Sequence, residues 1–160
     1  MLLLGSQIDS ASVTENRRLS LIARFGVGYD NVDVEACTHS GIIVTITPNG
    51  VRRPVAIAAL TYLLALSQKM LIKDSLVREG RWHERMDHMG TGLSDRTVGL
   101  IGLGNIGREL SGLLQPFGVR LLASDPRSST YHAQQAGAEL VDMGTLSLIH
   151  ISEPTRHRGI

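Results

Sequence analysis

The chain has 160 residues, of which 42% are hydrophobic and 19% charged, with a formal net charge of +1. That is ordinary globular composition for about one domain and enough chain to bury a core. The near-neutral balance gives no electrostatic reason to expect nucleic acid or an anionic membrane as partner, and the single cysteine, Cys37, excludes an internal disulfide framework or a CxxC metal pair.

The opening run Met1-Leu2-Leu3-Leu4 is apolar but breaks at Gly5, lacks basic residues, and is too short for a signal peptide or a spanning helix. It reads as a strand over Leu2 to Leu4. No other stretch approaches about 18 consecutive apolar residues, so a cytoplasmic location is the default expectation. A short helix or loop is expected over 12–18 and a strand over 19–24. A helix follows over 31–39, with Asp30 as its cap and Cys37 as a core thiol. A third strand spans 42–46. Buried apolar runs separated by helices imply a parallel sheet with helices on both faces.

A single long helix is expected over 54–78, with Pro54 in its first turn and its first half buried because it is apolar nearly all round. Gly80 ends it, and a polar connector carrying Trp82 runs over 81–94. A second strand–helix alternation then begins: strand 97–103, helix 105–116, strand 119–124, helix 130–136 closed by Gly137, and a short strand over 139–141.

The strongest chemical signal lies in this second half, in Val98-Gly99-Leu100-Ile101-Gly102-Leu103-Gly104-Asn105-Ile106-Gly107 followed by Asp125. A lone GxGxxG is weak. Here it leaves a strand, opens a helix, and precedes an acidic residue 18 positions beyond Gly107, close to the spacing of about 20 in dinucleotide-binding folds. Gly102 permits the tight turn, Gly104 lets the backbone approach a pyrophosphate, and Gly107 lets the helix pack close to the sheet. Backbone N–H groups at Asn105 and Ile106 would receive the phosphates. Asp125 would accept from the adenosine ribose hydroxyls, and a 2′-phosphate there would meet a like charge. NAD is therefore favoured over NADP; Arg127, two positions on, could soften that preference but reads as a solvated loop arginine.

Other stretches carry a family resemblance. Ala23-Arg24-Phe25-Gly26-Val27-Gly28-Tyr29-Asp30-Asn31-Val32-Asp33, Gly41-Ile42-Ile43-Val44 followed by Thr47-Pro48, and Gly80-Arg81-Trp82 followed by Gly92-Leu93 join the glycine fingerprint, Pro116-Phe117-Gly118 and Asp125-Pro126. In order and spacing these resemble the D-isomer specific 2-hydroxyacid dehydrogenases of the phosphoglycerate dehydrogenase-like kind, over residues 19–145. The resemblance implies an α/β chain in two parts. Residues 1–50 would be the C-terminal part of a flavodoxin-like substrate domain. Residues 51–145 would be the interdomain helix and the N-terminal half of a Rossmann NAD-binding domain. It further implies that backbone N–H groups of Gly26, Val27 and Gly28 bind the substrate carboxylate at an interdomain cleft, that Val27 also touches the nicotinamide end, and that the whole protein is a homodimer acting on a small 2-hydroxy or 2-keto acid. Glycines on a tight turn suit an anion independently of family.

The family's catalytic histidine, glutamate and arginine are expected downstream of this chain, so no catalytic residue and no metal ligand is assigned within it. His39, His83, His88 and His132 are read as solvated. Ile46, Ile57 and Gln68 depart from the family's usual Asn, Glu and Arg. Residues 146–156, LSLIHISEPTR, match a translated sequencing adapter, so 146–160 is expected to be a non-native tail and His150 and His157 are excluded from function. With half a nucleotide sheet, the 160-residue chain is expected to be inactive and to bind NAD weakly or aggregate. The reading is a piece of an NAD-dependent oxidoreductase; the alternative is a dehydrogenase-like NAD-sensing corepressor without turnover.

Overall fold

The computed structural model describes residues 2–3, 5–16 and 18–149; Leu4 in the expected first strand and His150 and His157 in the expected tail lie outside the described residues. The chain divides into two compact units, Met1–Pro54 and Val55–Ile160.

In the first unit, β1 (Leu2–Leu3), β2 (Leu21–Arg24) and β3 (Ile43–Ile46) form a parallel sheet in the order β1-β2-β3. Parallel pairing requires crossovers, supplied by α1 (Ser10–Glu15) and α2 (Val34–His39). Ile8, Val13, Ile22, Val32, Cys37 and Ile42 make the core. Helix α2 begins later than the sequence suggests, and its cap is Asp33, not Asp30: the Asp33 carboxylate accepts from the Ala36 N–H. The reason is a competing use of the preceding residues. Val32 forms a parallel bridge with Ile8, Asn31 donates to the Ser6 carbonyl, and the Asp33 N–H donates to the Ile8 carbonyl. Residues tied into that bridge cannot also wind into a helix.

The second unit holds β4 (Thr97–Ile101), β5 (Arg120–Ser124) and β6 (Glu139–Leu140), parallel and in the order β4-β5-β6. The long helix expected over 54–78 is two helices. Helix α3 (Pro48–Ser67) and α4 (Met70–Arg78) meet at a bend of 63°. Helix α3 starts at Pro48, six residues earlier than expected, which leaves Pro54 inside it. The break falls at Lys69, a non-glycine residue with φ of 52°, and it is held by the connector. The Gln68 side chain donates to the Thr91 carbonyl at 2.9 Å, and the Thr91 N–H donates to the Ser67 carbonyl at 2.8 Å. Nor is the first half of the expected 54–78 helix buried throughout. Leu60, Leu63 and Leu64 pack on the core, whereas Val55, Ile57, Tyr62 and Leu66 are exposed.

The connector contains a 3-10 helix over Trp82–His88, with the Arg85 guanidinium 5.2 Å above the Trp82 ring. Helix α5 (Asn105–Leu114) passes through a 3-10 turn at Gln115–Phe117, and α6 (Thr130–Gln135) is followed by Gly137 in left-handed backbone. The core joins Leu93, Leu100, Leu103, Leu114, Leu121, Ala123, Ala133 and Ala138. A last helix, α7 (Met143–Ser147), runs across residue 146, where a non-native tail is expected. Leu146 is buried, and Leu146 and Ile149 approach Gly99 of β4. An apolar residue behind the Asp142 cap has a sheet face to cover, whatever the origin of its codon. No single helix among the described residues is long and apolar enough to cross a membrane.

Candidate dinucleotide site

Strand β4 delivers the chain to Gly102, whose φ of +93° is a conformation that L side chains rarely adopt and glycine takes without cost. Gly104 then caps α5 with extended backbone and no side-chain cap. A glycine cap leaves the first N–H groups of a helix unsatisfied, so those of Asn105, Ile106 and Gly107 point out at the helix's positive end. A Cβ added to Gly104 would meet nothing within 4 Å: the space over the turn is open to a ligand. At Gly107 the opposite holds, since a Cβ would lie 2.4 Å from the Gly102 carbonyl oxygen. The three glycines therefore differ: a positive-φ turn at Gly102, open space at Gly104 and a close approach at Gly107.

Asp125, just past β5, comes to the same turn. Its Oδ2 accepts from the Leu103 N–H at 2.7 Å and its Oδ1 from the Arg127 N–H at 2.9 Å. The Leu103 bond first, then the Arg127 N–H, with smaller help from the Arg127 charge and the Ser128 N–H, hold this carboxyl below the usual carboxylate range, against an opposing desolvation cost. A carboxylate has about four acceptor positions, so the Leu103 and Arg127 N–H groups do not exhaust it.

In the first unit, the loop after β2 is built on Gly26, whose φ is +129°. Gly26 and Thr47 bond reciprocally: the Gly26 N–H donates to Thr47 Oγ1 at 2.9 Å, and the Thr47 N–H to the Gly26 carbonyl at 2.9 Å. This corrects the expectation that all three loop amides are open to a carboxylate. The Gly26 N–H is in use, while no partner of the Val27 or Gly28 N–H exists among the described residues. Val27 is exposed, with Phe25 and Tyr29 beside it. The Arg24 guanidinium folds back onto the Phe25 carbonyl.

Three of the described histidines have local partners. His39 is bonded to the Glu35 carbonyl, His83 lies 3.5 Å from Glu84, and His132 meets the Ser129 hydroxyl that caps α6. Two participants escape the sequence reading. Thr47 is visible there only as part of a Thr-Pro motif. Arg108 shares a helix face with Asn105 at i,i+3, and that spacing is the signal that could have found it.

A family model described as "D-isomer specific 2-hydroxyacid dehydrogenase, NAD binding domain" matches residues 60–148. Among curated relatives, a D-3-phosphoglycerate dehydrogenase of Archaeoglobus fulgidus is 38% identical over 141 residues, covering 88% of this chain and 27% of the relative. A glyoxylate reductase of Thermococcus litoralis is 32% identical over 150 residues, covering 90% of this chain and 45% of the relative. The chain thus spans from about a quarter to under half of the curated relatives it matches. Among solved structures, the apo-structure of D-lactate dehydrogenase from Escherichia coli superposes with a TM-score of 0.78 at 28% identity, covering 91% of this chain and 46% of that one. The TT0316 protein from Thermus thermophilus gives 0.81 at 27% identity over the same shares.

Proposed function

The chain belongs to the D-isomer specific 2-hydroxyacid dehydrogenase family, and from that membership we propose that it holds the adenosine-diphosphate half of NAD for an oxidoreductase acting on a small 2-hydroxy or 2-keto acid. The observation that carries this is the uncapped N-terminus of α5, with open space over Gly104 and the Asp125 carboxylate bonded across the same turn. When bound, the nicotinamide cofactor supplies hydride transfer; the residues described here bind and orient. Amide groups of Asn105 and Ile106 receive the pyrophosphate. Asp125, held ionised by two backbone N–H groups, accepts from the ribose diol and repels a 2′-phosphate, which favours NAD over NADP.

In the first unit, the Val27 and Gly28 N–H groups are the donors available to a substrate carboxylate, and the Gly26–Thr47 pair fixes their loop. A histidine acid/base with its glutamate, and a substrate-binding arginine, are no part of this assignment. Dimerisation of the whole protein through the α3–α4 region belongs to the same proposal, since Tyr62, Leu66 and Leu71 are 69%, 74% and 76% exposed.

Nitrogen-15 NMR titration of the 160-residue chain with ADP-ribose tests the nucleotide reading, because it registers millimolar binding. The amide signals of Gly102 to Gly107 should shift, and 2′-phospho-ADP-ribose should bind about tenfold more weakly. Asp125→Ser should abolish that difference. Shifts confined to other residues, or none at millimolar ligand, would refute the assignment.

A further inference from the structure

Leu103, between the first two fingerprint glycines, is fully buried, and both of its backbone groups are taken by side chains. Its N–H donates to Asp125, and its carbonyl accepts from Arg108 Nη1 at 3.1 Å. The same guanidinium donates through Nη2 to Asn105 Oδ1 at 2.7 Å. A guanidinium carries donors only, so the Asn105 carboxamide must turn its oxygen toward Arg108. Its Nδ2, with two N–H groups, is left without a partner among the described residues, at the first position of α5. The planar fork of arginine fixes the Leu103 carbonyl and the carboxamide together, which the single ammonium of lysine could not do.

We propose that Arg108 is a positioning residue of the dinucleotide site: it braces the Leu103 carbonyl and the Asn105 carboxamide so that Asn105 Nδ2 donates to the pyrophosphate alongside the backbone amides. Arg108 acts through Asn105 and contributes no phosphate contact of its own. This rests on reading the turn as the nucleotide site, and it adds a side-chain donor and its support to a set otherwise made of backbone.

The test compares ADP-ribose with adenosine, which lacks the pyrophosphate, as NMR titrants of the 160-residue chain and of Arg108→Met, Arg108→Lys, Asn105→Ala and the Arg108→Met/Asn105→Ala double variant. Each single variant should weaken ADP-ribose about tenfold, the effect of one hydrogen bond to a charged group. Adenosine binding should not change. The double variant should bind no more weakly than Asn105→Ala, and Arg108→Lys should behave as Arg108→Met. Unaltered ADP-ribose binding in Arg108→Met would overturn the proposal. So would losses that multiply in the double variant, which would make Arg108 a ligand in its own right, or retention of affinity by Arg108→Lys, which would show that the two-nitrogen fork is not needed. If the unaltered chain responds to neither titrant, the nucleotide reading falls and this proposal with it.

Discussion

At Gly107 one missing methyl group decides the geometry of a whole turn. A Cβ there would lie 2.4 Å from the Gly102 carbonyl, a backbone atom that cannot swing aside. Gly107→Ala should therefore destabilise the second unit by about 1–3 kcal/mol, the cost of overpacking, and should move the Gly102–Leu103 amide signals in an NMR spectrum. Equal melting temperatures for the two chains would show that helix and strand do not need that approach. Cys37 shows the other residue-scale effect, that of burial on charge. Burial, and then the Asp33 carboxylate near it, pushes the thiol up from its ordinary value. Since the thiolate is the nucleophile, a disulfide reagent at pH 8 should react with Cys37 only as the chain unfolds. Fast reaction without denaturant would place the thiol at the surface. The sign of the linkage follows. Stability associated with the neutral thiol is complete below the ordinary thiol range and is lost as pH rises through the raised value.

Between elements, the informative feature is the bend from α3 to α4. The sequence over 54–78 reads as one apolar helix, because periodicity reports which residues prefer a helix and cannot report what crosses it. At Gly90 the connector passes so close to the end of α3 that a Cβ would lie 2.5 Å from the Gln68 Cα and 2.9 Å from the Ser67 carbonyl oxygen. Gln68, which departs from the family's usual arginine, thus has a local reason to be there: its amide bonds the Thr91 carbonyl. Gly90→Ala should lower the melting temperature, and the amides of Ser67 to Lys69 should exchange faster with solvent as the connector lifts. Unchanged protection at those three residues would mean that the bend is intrinsic to α3–α4. The cap of α2 teaches the same point on a smaller scale. Two aspartates three residues apart offer themselves, and only the bridge from Ile8 to Val32 selects Asp33.

For the molecule as a whole, each unit has its own core and its own parallel sheet. Apolar area remains outside both cores, most of all on α3 and α4, and adjacent exposed side chains of this size mark association surfaces. Sedimentation of the 160-residue chain should therefore show concentration-dependent association that Leu66→Glu with Leu71→Glu reduces. Association unchanged by the two charges would point to another surface, such as the outer edge of β4, which pairs only with β5 among the described residues.

What the amino-acid order alone determined is the local chemistry: parallel strands from short buried apolar runs, and a tight strand-to-helix turn from three glycines at fixed spacing. These are legible because each depends on a few neighbouring residues and on the intrinsic freedom of glycine. Tertiary structure alone decided which amides stay open. Thr47 takes the Gly26 N–H and Asp125 takes that of Leu103. It also broke the long helix at Lys69. Those outcomes depend on partners far away in the chain, and a hydrogen bond between distant residues leaves no periodic trace in the sequence.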